Sequence, residues 1–121
     1  MTGLDPSQHA LISADRVEGT AIYNAVGEKL GYVQDVMLHK ASGKVAYAVV
    51  SVGGFLGLGE KYHPIPWSLL SYDTGRGGYV LPLERRQLEE ARSFAAEDMG
   101  DDDSAWRSEV HAHYNAPAYW M

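Results

Sequence analysis

The sequence contains no cysteine, and this absence excludes several classes of site at once. Such a chain forms no disulfide and holds no thiolate zinc centre, iron–sulfur cluster or cysteine nucleophile. Long hydrophobic runs are missing too, because the longest, residues 45–58, is too short and too rich in glycine to span a bilayer. Residues 1–9 lack the basic and apolar regions of a secretory signal. We therefore expect a cytoplasmic protein without membrane insertion.

Basic residues are few and scattered. Ten Lys and Arg stand against sixteen Asp and Glu, and the net charge is −6. Binding to nucleic acid requires several cations on one face to neutralise phosphates, so we expect no direct nucleic-acid binding. The acidic excess is concentrated after residue 94, where Arg107 is the single Lys or Arg and the acids are Glu97, Asp98, Asp101, Asp102, Asp103 and Glu109.

Aspartate and histidine occur at spacings that do not suit a metal site. Asp101, Asp102 and Asp103 are followed by Ser, Ala and Trp rather than by the alternating ligands and glycine of a calcium loop. His111 and His113 are two positions apart, a spacing that directs them to different sides of a helix. We predict no metal, no cofactor and no catalytic residue, since an enzyme would rest only on scattered Ser, His and Asp.

Short strands separated by glycine-rich turns predict a mainly β fold, a small antiparallel β-barrel that ends in a helix. The expected strands lie at residues 20–23, 30–39, 45–52, 60–65, 71–73 and 79–81. Both faces of the third strand are apolar, so this strand must be central and covered twice, by the rest of the chain or by a partner.

The second strand has a defect in its alternation. Gly31 and Val33 fall on one face, whereas Val36 and Leu38 fall on the other. A β-bulge or a sharp bend near residues 34–35 would return both pairs to the core, so we predict one of these there.

Helical segments and domain boundaries complete the predicted organisation. One helical turn is expected at 13–16, with Ser13 as its cap, and a helix over 83–96. We divide the chain into a flexible leader at 1–10, a barrel domain at 11–96, and an acidic linker with a helical or irregular aromatic tail at 97–121.

The tail is unusually aromatic for an acidic segment, since disordered acidic tails contain few aromatic residues. A helix over 104–114 would align Trp106, Val110 and Tyr114 (or His113) on one face. Tyr119 and Trp120 follow it. Trp and Tyr dominate the energetics of protein interfaces, so we expect this tail to dock, either on its own barrel or on another protein.

A glycine-rich loop follows the third strand. It does not open a helix and lacks a Gly-Lys-Ser/Thr ending, so phosphate binding is not predicted. Its Phe55, Leu56 and Leu58 are hard to bury together, and exposed apolar clusters mark interfaces. With Tyr47 and Val49 on the adjoining strand they predict a homodimer interface, and packing of the loop as a lid on the barrel is the alternative.

Four segments of the sequence resemble the PRC-barrel family: GEKLGYVQDVML at 27–38, VVSVGGFLGLGEK at 49–61, IPWSLL at 65–70 and LPLERRQLEEA at 81–91. The resemblance covers about residues 11–94 in order. It implies an SH3-like barrel, often paired with a second copy, for which no catalytic residues are described.

The resemblance also suggests what such a module does. The same module is similar to the cytoplasmic domain of the photosynthetic reaction-centre H subunit and to the C-terminal domain of a ribosome maturation factor. We predict a non-enzymatic interaction or assembly module that forms a homodimer and has a further protein partner. Accessory roles in membrane electron transfer or in ribosome maturation are the alternatives.

Overall fold

A computed structural model describes residues 11–52, 61–91, 93 and 106–117 of the chain. The described part is mainly β, with six strands and three short α-helices. The strands are β1 (Ala21–Asn24), β2 (Lys29–Leu38), β3 (Val45–Val52), β4 (Lys61–Pro66), β5 (Ser71–Asp73) and β6 (Gly78–Leu81). The helices are α1 (Ala14–Val17), α2 (Arg85–Glu90) and α3 (Arg107–Tyr114), and a single 3-10 turn occupies Trp67–Leu69.

The strands form one barrel-like sheet in the order β4-β3-β2-β1-β6-β5. This arrangement confirms the mainly β fold class with C-terminal helices. One pair departs from the antiparallel prediction, because β1 and β6 run parallel, with Ile22 opposite Tyr79. Strand β6 is the return strand of the β5–β6 hairpin, and it lies beside β1 and runs in the same direction.

The predicted bulge in β2 is confirmed, since the pairing with β3 shifts register between Val33 and Asp35. The Asp35 carboxylate accepts a hydrogen bond of 2.8 Å from the Val36 backbone N–H, which holds the extra residue in place. The prediction that Leu38 returns to the core is wrong, because Leu38 is 57% exposed. A second register shift between Met37 and Leu38 turns Leu38 outward.

The β2–β3 pair has an unusually close backbone approach at Gly31. A Cβ atom at this position would overlap the Ser51 carbonyl oxygen on β3. Only glycine fits there, and this fixes the part of β2 that precedes the bulge tightly against the central strand.

The helix predicted over 83–96 is shorter in the structure. It spans Arg85–Glu90, and Ala91 already has extended backbone angles of φ −69° and ψ 153°. The Gln87 side chain accepts a 2.9 Å hydrogen bond from the Glu84 backbone N–H, which fixes the start of the helix. Leu88 is fully buried and anchors the helix to the core. The predicted turn at 13–16 is present as α1, but Ser13 makes no side-chain capping bond.

Across the ranges that the structure describes, no helix has the length and apolar character needed to cross a membrane.

Candidate interaction surface

The outer side of β3 carries an aromatic residue that organises the tail. Tyr47 stands directly opposite Met37 on β2 and Pro66 on β4. Residues opposed in antiparallel strands share one face of the sheet, so these three form a continuous apolar strip. We call Met37, Tyr47 and Pro66 the helix-docking face.

The tail helix α3 lies over this face. The Tyr47 ring contacts the Trp106 ring at 5.2 Å between centroids and the His111 ring at 5.4 Å. Trp106, Val110 and Tyr114 belong to the same buried cluster as Tyr47, and they are spaced four residues apart. The apolar face that was predicted for this helix is therefore confirmed, and it packs on the chain's own barrel.

A buried hydrogen bond fixes the helix on the strand. The Tyr47 hydroxyl and His111 Nε2 are 2.8 Å apart, and His111 Nδ1 lies 3.3 Å from the Ala116 carbonyl oxygen. A carbonyl oxygen only accepts, so in the neutral ring Nδ1 carries the hydrogen and Nε2 accepts from Tyr47. Both contacts can be made together by the tautomer of His111 that carries its hydrogen on Nδ1.

The end of α3 makes this geometry possible. Asn115 has a left-handed backbone with φ 52°, which stops the helix and turns the chain back. The turn lets the Ala116 backbone N–H donate to the His111 carbonyl at 2.9 Å. The contacts with Ala116, in the turn that follows α3, therefore help to orient the His111 ring toward Tyr47.

A second contact joins α3 to α2. His113 Nε2 donates a 3.0 Å hydrogen bond to the Gln87 carbonyl, although His113 itself is exposed. The two histidines therefore serve two different attachments, which agrees with the prediction that they point to different sides of the helix.

Tyr114 is the imperfect part of this arrangement. Its side chain is 8% exposed, and the buried hydroxyl has no hydrogen-bond partner among the described residues. Burial raises the pKa of Tyr114 well above its ordinary value. A cavity of about 290 Å³ lies beside it, between α2 and α3, and the residues around this cavity are Glu90, Ala91, Glu109, Val110, His113 and Tyr114.

The predicted interface residues fall into two groups. Tyr47, Val49, Trp106 and Tyr114 are buried within a single chain, and the structure brings Tyr47 and Trp106 into contact. Val49 lies two positions along β3, opposite Pro64. The remaining candidates lie outside the described residues: Phe55, Leu56, Leu58, Tyr119 and Trp120. A role for either group in contacts between chains stays a prediction.

His111 is the member of the docked helix that sequence analysis overlooked, because it was weighed only as a metal ligand with His113. Its position relative to Trp106 and Tyr114 was the available signal, since a residue three before Tyr114 shares the apolar face. In the described ranges, no three His, Asp or Glu side chains are close enough together to hold a metal ion.

A second aromatic group is formed by residues of β5, β6 and the 3-10 turn. Tyr72 on β5 is 50% exposed and packs edge-on against Tyr79 at 5.2 Å, and Tyr79 in turn contacts Trp67 at 5.4 Å. Burial, and to a smaller extent the neighbouring Tyr72, raise the pKa of Tyr79. Within the described chain, β5 pairs only with β6, so Tyr72 marks one edge of the sheet.

Comparison with known proteins agrees with this fold. The model of the PRC-barrel domain family matches residues 10–87, which include all six strands and end inside α2. The chain is also similar to an uncharacterized protein of Deinococcus radiodurans, with 27% identity over 92 residues that make up 76% of this chain. The match covers 30% of the length of that relative.

Proposed function

The chain belongs to the PRC-barrel family, and from this premise we propose that it is a non-catalytic protein-interaction module that associates with a second copy of itself. The family is one of non-catalytic modules. We include a cytoplasmic location in the proposal, as the sequence analysis predicts.

One observation carries the interaction role. The barrel holds a polypeptide helix on its outer face through aromatic packing and a specific hydrogen bond between Tyr47 and His111. These are the kinds of contact that give protein interfaces their affinity. The docked helix begins about twenty residues beyond the matched domain. The barrel surface is therefore suited to binding a segment that is not part of the barrel.

The edge strand β5 supports self-association. It pairs on one side in the described chain, and it presents the half-exposed Tyr72. An edge strand can add a strand from another chain, and two copies can do so reciprocally about a two-fold axis. Phe55, Leu56 and Leu58, which lie outside the described residues, stay part of the proposed contacts between copies, as the sequence analysis predicts.

The test is the molar mass of the full chain by light scattering over a wide range of concentration. We expect a dimer that dissociates on dilution, and we expect Tyr72→Lys to shift the mass toward the monomer. Val26→Lys is the control, because Val26 is also an exposed hydrophobic residue, at 87% against 50% for Tyr72, and it lies in the β1–β2 turn rather than on β5. A monomer at every concentration would reject self-association.

The partner predictions need a different experiment. Capture from native cells with the full chain as bait, beside a variant lacking residues 97–121, would identify proteins held through the tail. Reaction-centre subunits or small-subunit ribosomal proteins among them would favour the corresponding accessory role. If the bait captures only further copies of this chain, self-association remains as the proposed function.

A further inference from the structure

The helix-docking face belongs to the barrel, but α3, the helix that covers it, does not. Met37, Tyr47 and Pro66 lie inside the residues matched by the PRC-barrel domain, whereas α3 lies outside them. Tyr47 is only 1% exposed, with the rings of Trp106 and His111 packed against its own. A barrel made of the matched residues alone would present this apolar strip to solvent, where it would need another occupant.

We propose that the helix-docking face is a binding site for an amphipathic helix of a partner protein, and that α3 is an internal occupant which this helix displaces. The inference rests on the proposed function as an interaction module. The partner helix carries the pattern that α3 shows: an aromatic residue, then an aliphatic residue four positions later, a hydrogen-bond acceptor at the next position and an aromatic residue three further on.

The chemistry of α3 defines what the face recognises. Trp106 supplies the ring that packs on Tyr47, and Val110 supplies aliphatic bulk one turn later. His111 supplies the acceptor for the Tyr47 hydroxyl. An occupant without an acceptor at this position would lose the buried 2.8 Å hydrogen bond with the Tyr47 hydroxyl, and this favours helices that carry an acceptor there over purely apolar ones.

Four features of α3 show that it is not the best possible occupant. It has eight residues, too few for a helix that is stable by itself, and Trp106 at its N-cap makes no side-chain capping bond. Its Tyr114 hydroxyl is buried without a hydrogen-bond partner among the described residues, and a cavity remains between α3 and α2. A partner helix with a capped N-terminus and Phe at the position of Tyr114 would avoid the missing cap and the unsatisfied hydroxyl.

Covalent attachment compensates for this weakness. Because α3 belongs to the same chain as the face, its docking is intramolecular and needs no encounter between two molecules. A free partner helix must therefore outcompete α3, and any change that weakens the docking of α3 should increase the affinity for the partner.

A labelled peptide with the sequence of residues 104–117 tests the proposal. It is titrated by fluorescence anisotropy against the full wild-type chain and against the Trp106→Ala chain, whose own helix has lost its main contact. We expect the Trp106→Ala chain to bind the peptide at least about tenfold more tightly, because loss of a buried Trp side chain removes far more free energy than that ratio requires. Ser108→Ala, on the exposed face of α3, is the control and should behave as the wild type.

Variants of the peptide make the result specific without altering the barrel. In the Trp106→Ala chain, a peptide with Tyr114→Phe should bind more tightly than the unchanged peptide, and one with His111→Ala more weakly. Equal affinity of the wild-type and Trp106→Ala chains would overturn the proposal, as would indifference to both peptide substitutions. Since light scattering without peptide judges self-association, the two proposals can fail separately.

Discussion

Two buried tyrosine hydroxyls in the same interface differ in hydrogen bonding, and this predicts that their removal has opposite effects on stability. The Tyr47 hydroxyl donates to His111 Nε2 at 2.8 Å, whereas the Tyr114 hydroxyl is buried without a partner in the described chain. Substituting each by phenylalanine removes one oxygen and leaves the ring in place. The two substitutions should therefore change the free energy of unfolding in opposite directions.

The magnitudes follow from the cost of unsatisfied buried polar groups. Tyr47→Phe removes the hydroxyl that lies 2.8 Å from the buried His111 Nε2, and loss of this buried hydrogen bond should lower the free energy of unfolding by about 1–3 kcal/mol. Tyr114→Phe removes a desolvated hydroxyl that contributes no bond to a described residue, so it should raise stability by about 1 kcal/mol. For a chain of this size, 1 kcal/mol corresponds to a shift in Tm of roughly 4 °C.

Urea unfolding of the full chain, followed by circular dichroism, measures both effects. The dependence of the free energy of unfolding on urea concentration should be the same for the wild type and both variants, so that only the midpoints of unfolding change. Tyr72→Phe is the control, because its half-exposed side chain predicts a change within about 0.5 kcal/mol. Destabilisation by Tyr114→Phe, or stabilisation by Tyr47→Phe, would refute the assignment of the two hydroxyls.

Three further predictions concern pH and the barrel. Above the ordinary tyrosine pKa of 10.0 the unfolded chain loses the Tyr114 proton that the folded chain retains. The free energy of unfolding should therefore fall by up to about 1.4 kcal/mol per pH unit. Urea titrations at several pH values should show a weaker dependence of this free energy on pH for Tyr114→Phe. Gly31→Ala should destabilise by at least about 2 kcal/mol in thermal unfolding, since its Cβ would overlap the Ser51 carbonyl, whereas Gly75→Ala, which meets only a side-chain oxygen of Asp73 at 3.2 Å, should change much less. Asn24→Ala should cost about 2 kcal/mol by urea unfolding, because the buried Asn24 amide accepts from the Val26 and Glu28 backbone N–H groups and donates to the Glu28 carboxylate.

Local patterns predicted most of the fold because they reflect local physics. The phase change between Val33 and Val36 required a bulge or a sharp bend, and the two prolines of β4 excluded a central position, which its place at the sheet edge confirms. The spacing of Trp106, Val110 and Tyr114 likewise defined the buried face of α3 before any contact was known.

Features that depend on distant residues could not be predicted in this way. No local pattern shows that β6 lies parallel to β1, because register between remote strands is decided by packing. The helical spacing of Leu88, Ala91 and Ala95 predicted a helix beyond Glu90, where the chain leaves α2, and residues 92 and 94–96 of that prediction lie outside the described residues. The choice of the tail between its own barrel and another chain was open because it depends on contacts between distant residues.

The parallel β1–β6 pair also has a consequence for the order of folding. Strands β1 to β4 form a meander of adjacent antiparallel pairs, and such contacts close short loops. The pairing of Ile22 with Tyr79 joins residues roughly 57 positions apart, the largest separation of any strand pair in the described sheet, so it should form late. We therefore expect the meander to act as the nucleus of the folding transition state. Substitutions at Tyr79 should then accelerate unfolding more than they slow refolding.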